Sequence, residues 1–415
     1  AGNTLELQES VISGGSLGGL LQFRNETLAP SQNALGRMAI ALADTFNAQH
    51  RLGVDLNGAL GADFFSQASP GVISNSKNAG NLVLTPSISS SNQLTTSDYR
   101  LDVGAGPAYT LTRLSDKQTI PLTPGFPGAA PADTTTFDGV KLTLASGAAA
   151  VGDSFLIQPT RTGARDLSVL VSDPAKVAAA SPIITGNTAG NQGNGAISAG
   201  AVDKSYPASP LAATVTLTYD SGTNELSGFP VGSAVTVTLA NGAAKTYGLA
   251  GDGTTYYDST PPAPVQPATG SAGVPFTSGA AISFDGITVN ISGNPADGDS
   301  FTIGNNTGGV SDGSNALLLG ALQNKKTIGG GSASFNDAYG QLVSTVGNKA
   351  RQIQIANTAQ TSLSTQIRAF QQAVSGVNQD EETANLLMYQ QMYQANAKVI
   401  QTASTMFDAV LGISR

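Results

Sequence analysis

The stretch from Asn378 to Arg415 reads as one helix carrying more apolar surface than a single neighbour can cover. One row holds Met388, Met392, Ala395, Val399, Thr402, Met406, Ala409 and Ile413, spaced alternately four and three apart. A second row beside it holds Tyr389, Tyr393, Ile400, Phe407 and Leu411. A helix lying on one globular core needs only a single stripe, so two adjacent rows call for two neighbours and imply partner chains. The other positions are mostly amides and hydroxyls (Gln390, Gln391, Gln394, Asn396, Gln401, Ser404), which pack sideways without charge repulsion. The candidate contact residues are therefore Met388, Met392, Tyr393, Val399, Ile400, Met406, Phe407 and Val410.

A second long helix precedes it. From Phe335 to Val377 a four-three spacing is kept throughout, interrupted in polarity only at Lys349 and Gln360. Its rod seam comprises Leu342, Val346, Ile353, Leu363, Ile367 and Phe370. Each large apolar side chain buried along such a seam contributes roughly 1.5–3 kcal/mol, an upper figure because the unfolded chain is not fully extended. The two helices divide at Ser375-Gly376-Val377-Asn378. Gly376 suits a helix end, and Asn378 with Glu381 resembles a capping pair ahead of the acidic first turn Asp380-Glu381-Glu382.

Near the other end, Leu35, Met38, Leu42 and Phe46 mark an amphipathic helix, the obvious partner for the Phe335 seam. Gly53 is placed to stop it, and Pro30 is placed to divide the region before it into two helices. Ser16 stands where an N-cap would.

Between about Leu82 and Gly309 the period becomes two, as in Val140-Lys-Leu-Thr-Leu and Val235-Thr-Val-Thr-Leu. Phe137-Asp-Gly-Val followed by Gly152-Asp-Ser-Phe recurs as Phe284-Asp-Gly-Ile followed by Gly298-Asp-Ser-Phe. Asp-Gly between alternating runs is a hairpin turn, so two related β modules are expected. Thr185 to Gly200, with few apolar anchors, reads as the linker between them, and spacing leaves open whether the second module is tandem or inserted. The expected fold is α+β and multidomain: a long helical-bundle or coiled-coil rod made from both ends of the chain, with the two β-rich modules inserted between. Expected bounds are 1–80 for the first rod segment and its loop, 81–185 for the first module, and 186–311 for the linker and second module. The second rod segment would span 312–377 and the terminal helix 378–415.

Two segments carry a family likeness. NLLMYQQMYQANAKVIQTASTMFDAVLGI, Asn385 to Ile413, resembles the C-terminal signature of the axial proteins of the bacterial flagellum, and Ser13 to Phe65 is similar to the hook-associated branch of that family. The resemblance implies a structural adaptor between hook and filament that self-associates in a helical ring and contacts the hook protein and a second hook-associated protein. It implies an export chaperone on about Leu363 to Ile413, passage through the type III channel without a cleaved signal, and an extracellular place on the flagellum. It also implies a helical segment preceding this chain.

Composition excludes other classes. Net charge is −8, and Lys325-Lys326 is the sole basic pair of note, which argues against nucleic acid. The chain has no cysteine and no apolar run long enough to span a bilayer, so disulfide and thiolate chemistry are absent and membrane insertion is not expected. Charged residues are 12% with 49 glycines, a β-rich and turn-rich composition rather than a disordered one. No cofactor and no metal is expected.

Gly14-Gly-Ser-Leu-Gly18 fits the hydrolase elbow pattern and would need His50, the single histidine, with Asp44 or Asp55. Asp44 and His50 lie about 240° apart around one helix and cannot meet, so His50 reads as a solvated helix-end residue. Gly152-Asp-Ser and Gly298-Asp-Ser read as turns. Asp297 with Asp299, and Asp252 with Asp258, lack a ligand-rich calcium loop, and Gly251-Asp-Gly lacks the end of a phosphate loop. Another axial protein, such as a hook or filament subunit, or an extracellular adhesin using the β modules, are the alternative functions.

Overall fold

The computed structural model describes residues 12, 14–106, 108–128, 133–249, 255–259, 272–376 and 378–413. Val377, Gly251, Asp252 and Gly253, among the positions singled out above, lie outside them, as do the side chains of Ser375 and Ile413. The chain divides into two compact units, Ala1–Val343 and Ser344–Arg415.

The first unit opens with α1 (Gly15–Phe23), a π-helical turn over Arg24–Leu28, and α2 (Ala29–His50). The region is divided beside Pro30 as expected, into α1 and α2, with the π segment between them. Pro30 sits in the first turn of α2, where its missing N–H costs little. Gly14, not Ser16, occupies the α1 cap position, and no side chain caps it.

The first β module contains β1 (Gly71–Ser74), β2 (Val83–Ile88), β3 (Tyr99–Val103), β4 (Tyr109–Arg113), β5 (Thr119–Ile120), β6 (Thr134–Phe137), β7 (Val140–Ser146) and β8 (Ser154–Gln158). They form two antiparallel sheets, β1-β8-β3-β4-β5 and β2-β7-β6. The second module contains β9 (Ile183–Asn187), β10 (Ala196–Ile197), β11 (Ala201–Val202), β12 (Val215–Asp220), β13 (Glu225–Ser227), β14 (Val235–Thr238) and β15 (Ala244–Leu249). It continues with β16 (Tyr256–Asp258), β17 (Val274–Pro275), β18 (Ala281–Phe284), β19 (Ile287–Ser292) and β20 (Ser300–Asn305). One of its sheets, β17-β13-β12-β20-β9, repeats the first sheet of module one. The other repeats β2-β7-β6 as β10-β19-β18 and extends it with β14, β15 and β16. The modules are tandem, since no strand of one pairs with the other among the described residues.

Both Asp-Gly pairs turn as their sequence requires. Asp138 and Gly139 have φ of 41° and 78°, and Asp285 and Gly286 have 47° and 77°, the left-handed pair of a type I′ hairpin. Alternation in each strand then sends one face inward. Leu101, Leu111, Leu142, Phe155 and Ile157 core the first module, and Leu217, Leu226, Ile282, Val289 and Phe301 the second.

The segment expected to be a linker is folded. β9 and β10 lie within or across it, and its Gln192 and Gly193 N–H groups donate to buried Asp299 at 2.6 and 2.9 Å. The same arrangement stands in module one, where Ala79 and Gly80 donate to buried Asp153. Ala150 N–H and Ala296 N–H complete the two cradles, each at 2.8 Å. Asn78 clamps the start of β8 and Asn191 the start of β20, receiving Ser154 N–H and Ser300 N–H and donating to the same residues' carbonyls. The repeat therefore includes Asn78-Ala-Gly-Asn81 and Asn191-Gln-Gly-Asn194, in addition to Ser146–Phe155 and Ser292–Phe301. Module one also begins earlier than residue 81, because β1 pairs with β8.

After module two come α3 (Ser314–Ala321), α4 (Phe335–Ser375) and α5 (Gln379–Ile413). Ser334 and Asp337 cap α4 reciprocally, the Asp337 N–H donating to Ser334 Oγ at 3.2 Å and the Ser334 N–H to Asp337 Oδ2 at 3.0 Å.

Candidate assembly surface

α2 buries a face different from the one its apolar spacing marks. Asn33, Gly36, Ala39, Ile40, Ala43, Asn47 and His50 point inward, while Leu35 is exposed and Met38, Leu42 and Phe46 are half-buried. A side chain at Gly36 would overlap the Thr160 carbonyl, so helix backbone meets loop backbone there. Beside it Asn33 donates to Asp98 at 2.9 Å, and Arg161 bridges Asn33 and Asp98. Further along, Asn47 accepts the N–H groups of Phe64 and Phe65, both at 2.9 Å, and donates to the Phe65 carbonyl.

His50 is fully buried rather than solvated. Its Nδ1 lies 2.7 Å from the Ala62 carbonyl and its Nε2 accepts Ala178 N–H at 2.9 Å, so the ring is neutral with its proton on Nδ1. Asn315 of α3 donates to the Ala178 carbonyl at 2.6 Å, and a Cβ on Gly53 would strike that same amide and carbonyl. The end of α2, the segment after the first module and the start of α3 are thus knotted by polar side chains reaching backbone.

These bonds also dispose of a triad. Both His50 nitrogens are engaged with backbone, Asp44 accepts the Ser91 hydroxyl, and Asp55 accepts Asn57 and Ala59 N–H groups. Burial pushes the Asp55 carboxyl up, and those N–H groups outweigh it and hold it below the usual range. Ser16 is exposed in the first turn of α1. Asp299 is filled by its cradle, and Asp297 accepts from Ser221. In the 660 Å³ cleft bordered by Asn33, Asp98 and Arg161, the aspartate and arginine neutralise each other. Among the described residues no three histidine, aspartate or glutamate side chains group to hold a metal, and no helix is long and apolar enough to cross a membrane.

What remains is apolar and uncovered. In α4 the first turns belong to the first unit, where Ala338 is buried with Ala41 of α2 and Ile328. Beyond them Val346, Ile353, Leu363, Ile367 and Phe370 are exposed, Phe370 by 73%, and Leu342 is half-buried. The enclosure expected of the α4 seam, with the Leu35–Phe46 helix as its partner, is thus found only at its first turns, and the rest of the seam is exposed. In α5, Met388, Met392, Tyr393, Val399, Ile400, Met406, Phe407 and Val410 are all exposed, Tyr393 by 78% and Phe407 by 72%. Asn378 caps α5 by accepting Asp380 N–H at 3.1 Å, with Asp380, Glu381 and Glu382 complementing the positive helix end.

Residues 371–413 match the family model for the C-terminal region of flagellar basal body rod FlgEFG proteins, which places the chain in the class of axial flagellar proteins. Three further models cover most of the rest: the helical domain of flagellar hook-associated protein FlgK (residues 1–65), and the D2-like (73–159) and D3 (182–305) domains of flagellar hook-associated protein 1. The chain belongs to the flagellar hook-associated protein 1 family. It is 29% identical to flagellar hook-associated protein 1 of Escherichia coli and 32% identical to that of Salmonella typhimurium, in both cases over all of this chain. It spans about half the length of these curated relatives, 52% of each. The flagellar hook junction protein FlgK of Burkholderia pseudomallei shares its fold with a TM-score of 0.76 and 37% identity, over 89% of this chain and 64% of that one.

Proposed function

We propose that the chain is a structural subunit of the flagellar axis at the hook–filament junction, outside the cell, where α4 and α5 pack laterally against helices of sister molecules. The observation that carries this reading is the pair of uncovered rows on α5, apolar surface that an isolated chain would leave in water. A ring or tube built by such contacts is heterologous, each subunit presenting one face to the next. On this reading the hook protein and a second hook-associated protein lie above and below. Before assembly an export chaperone covers Leu363 to Ile413, and export proceeds through the type III channel. The protein performs no chemical reaction, in keeping with the engagement of His50, Asp44 and Asp55 elsewhere.

Met392→Asp and Val399→Asp test it. Electron microscopy of full-length protein added to isolated hooks should show a cap of density at the distal end with the unaltered sequence, and none with either substitution. Unaltered capping by both variants would overturn the reading.

A further inference from the structure

The sequence contains three Asn-Gly pairs, Asn57-Gly58, Asn194-Gly195 and Asn241-Gly242. In each, the glycine lacks the side chain that normally shields its backbone nitrogen from the preceding amide carbon. The three surroundings differ.

Asn57 is tied back to Asp55. Its N–H donates to Oδ1 at 2.8 Å and its side-chain amide to Oδ2 at 3.3 Å, so the group that would have to leave is held. Asn194 is drawn across to the second arm of the module two cradle, accepting Asn294 N–H on Oδ1 at 2.7 Å and donating its own N–H to the Asn294 carbonyl. Gly195 after it is buried, with no room for added atoms against Phe301 and Pro295. In both, the side chain is bonded to groups other than the next backbone nitrogen.

Asn241 differs in where its amide is held. It sits with Gly242 in the exposed five-residue loop, 239–243, joining β14 to β15, closed by Leu239 N–H to the Ala243 carbonyl and Gly242 N–H to the Leu239 carbonyl. Gly242 holds the left-handed φ of 86° that this loop requires. Asn241 Oδ1 accepts the N–H of Ala243 at 3.0 Å. That bond folds the side chain forward along the chain, over its own glycine. It also aims a donor at the oxygen that would become negative if the amide carbon were attacked, the arrangement that stabilises a tetrahedral oxyanion.

We propose that Asn241 is a site of spontaneous covalent modification, deamidating through a succinimide, and that Asn57 and Asn194 are protected from it by the fold. The Gly242 nitrogen gives its proton to base and bonds to Asn241 Cγ. The bond from Cγ to Nδ2 breaks and, with a proton from solvent, ammonia leaves. Water then opens one or the other carbonyl of the five-membered ring, giving isoaspartate or aspartate. No oxidant or enzyme is needed. The product adds a negative charge to the loop, and the isoaspartate form also inserts a backbone carbon between β14 and β15.

The test holds the whole native chain at mildly alkaline pH, maps its peptides by mass spectrometry over time, and labels isoaspartate with a methyltransferase specific for it. A chain held in denaturant under the same conditions shows what each pair does without the fold. The expected result is loss of the Asn241 amide in the native chain while Asn57 and Asn194 keep theirs, with all three lost in denaturant. Asn241→Gln should remove the native signal. Conversion of Asn57 or Asn194 in the native chain as fast as Asn241, or an Asn241 amide that survives native incubation while the denatured chain loses it, would overturn the proposal.

Discussion

Phe301 and Phe407 are the same residue in two opposite situations. Phe301 alternates inward from β20 and is wholly enclosed by the second module, whereas Phe407 projects from α5 and is 72% exposed. The modules spend their apolar content within the chain, and the terminal helices hold theirs outside it. The difference separates stability from assembly. Residues that core a module set whether it folds, and residues on the α5 rows set what it joins.

Phe301→Ala should cost about 3–5 kcal/mol of folding stability, the sum of lost transfer energy and the cavity left behind. Phe407→Ala in the free chain should stay within about 0.5 kcal/mol of the parent. Denaturant titration followed by circular dichroism checks both, and a large loss from Phe407→Ala would mean that α5 already has a cover. A smaller effect is expected where the modules join the helix. Asn47→Ala leaves the Phe64 and Phe65 N–H groups without their acceptor and should cost about 1–3 kcal/mol in the same titration.

The smallest expected effect concerns acid. The Ala150 N–H lowers the Asp153 pKa most, against the opposing pull of burial, with Ala79 and Gly80 adding to it. For Asp299 burial raises the pKa, and the Gln192, Ala296 and Gly193 N–H groups outweigh it. Both carboxylates therefore titrate lower in the folded chain than in the unfolded one. Their stabilisation is present above the unfolded carboxylate value, about pH 4, and is lost as the pH falls through the depressed folded values. Thermal melting of the modules should drop on acidification below that point, and Asp153→Asn with Asp299→Asn should flatten the drop while leaving α5 exposure unchanged. An equally steep acid profile in the double variant would remove the cradles from the explanation.

Sequence made some of this legible because side chains advertise it. Alternating valine, leucine and threonine gave the strands, Asp138-Gly139 and Asp285-Gly286 gave the hairpins, and four-three spacing gave α4 and α5. What it concealed is built from backbone. Gly36 brings α2 against the Thr160 carbonyl, and Gln192 and Gly193 hold Asp299 with their amides, so hydrophobic periodicity misses the buried face of α2 and mistakes a structural arm for a linker. The signal was present in another form, the recurrence of Asn-x-Gly-Asn at residues 78–81 and 191–194. The burial of His50 is hidden from the sequence for a related reason, since its partners Ala62 and Ala178 contribute only a carbonyl and an N–H. The α5 residues were readable as apolar rows, but a sequence cannot name which chain covers them.

This chain contains no cysteine, so a thiol placed on it is the one thiol among these residues and can be followed by itself. Single variants Met392→Cys and Phe407→Cys, with Val231→Cys on the exposed surface of module two as reference, are labelled with a thiol reagent before and after full-length protein is joined to isolated hooks. If the α5 rows exist to be enclosed by sister subunits, the cysteines at 392 and 407 lose their reactivity on joining while the one at 231 keeps it. Undiminished labelling at 392 and 407 in particles that carry the cap would contradict it.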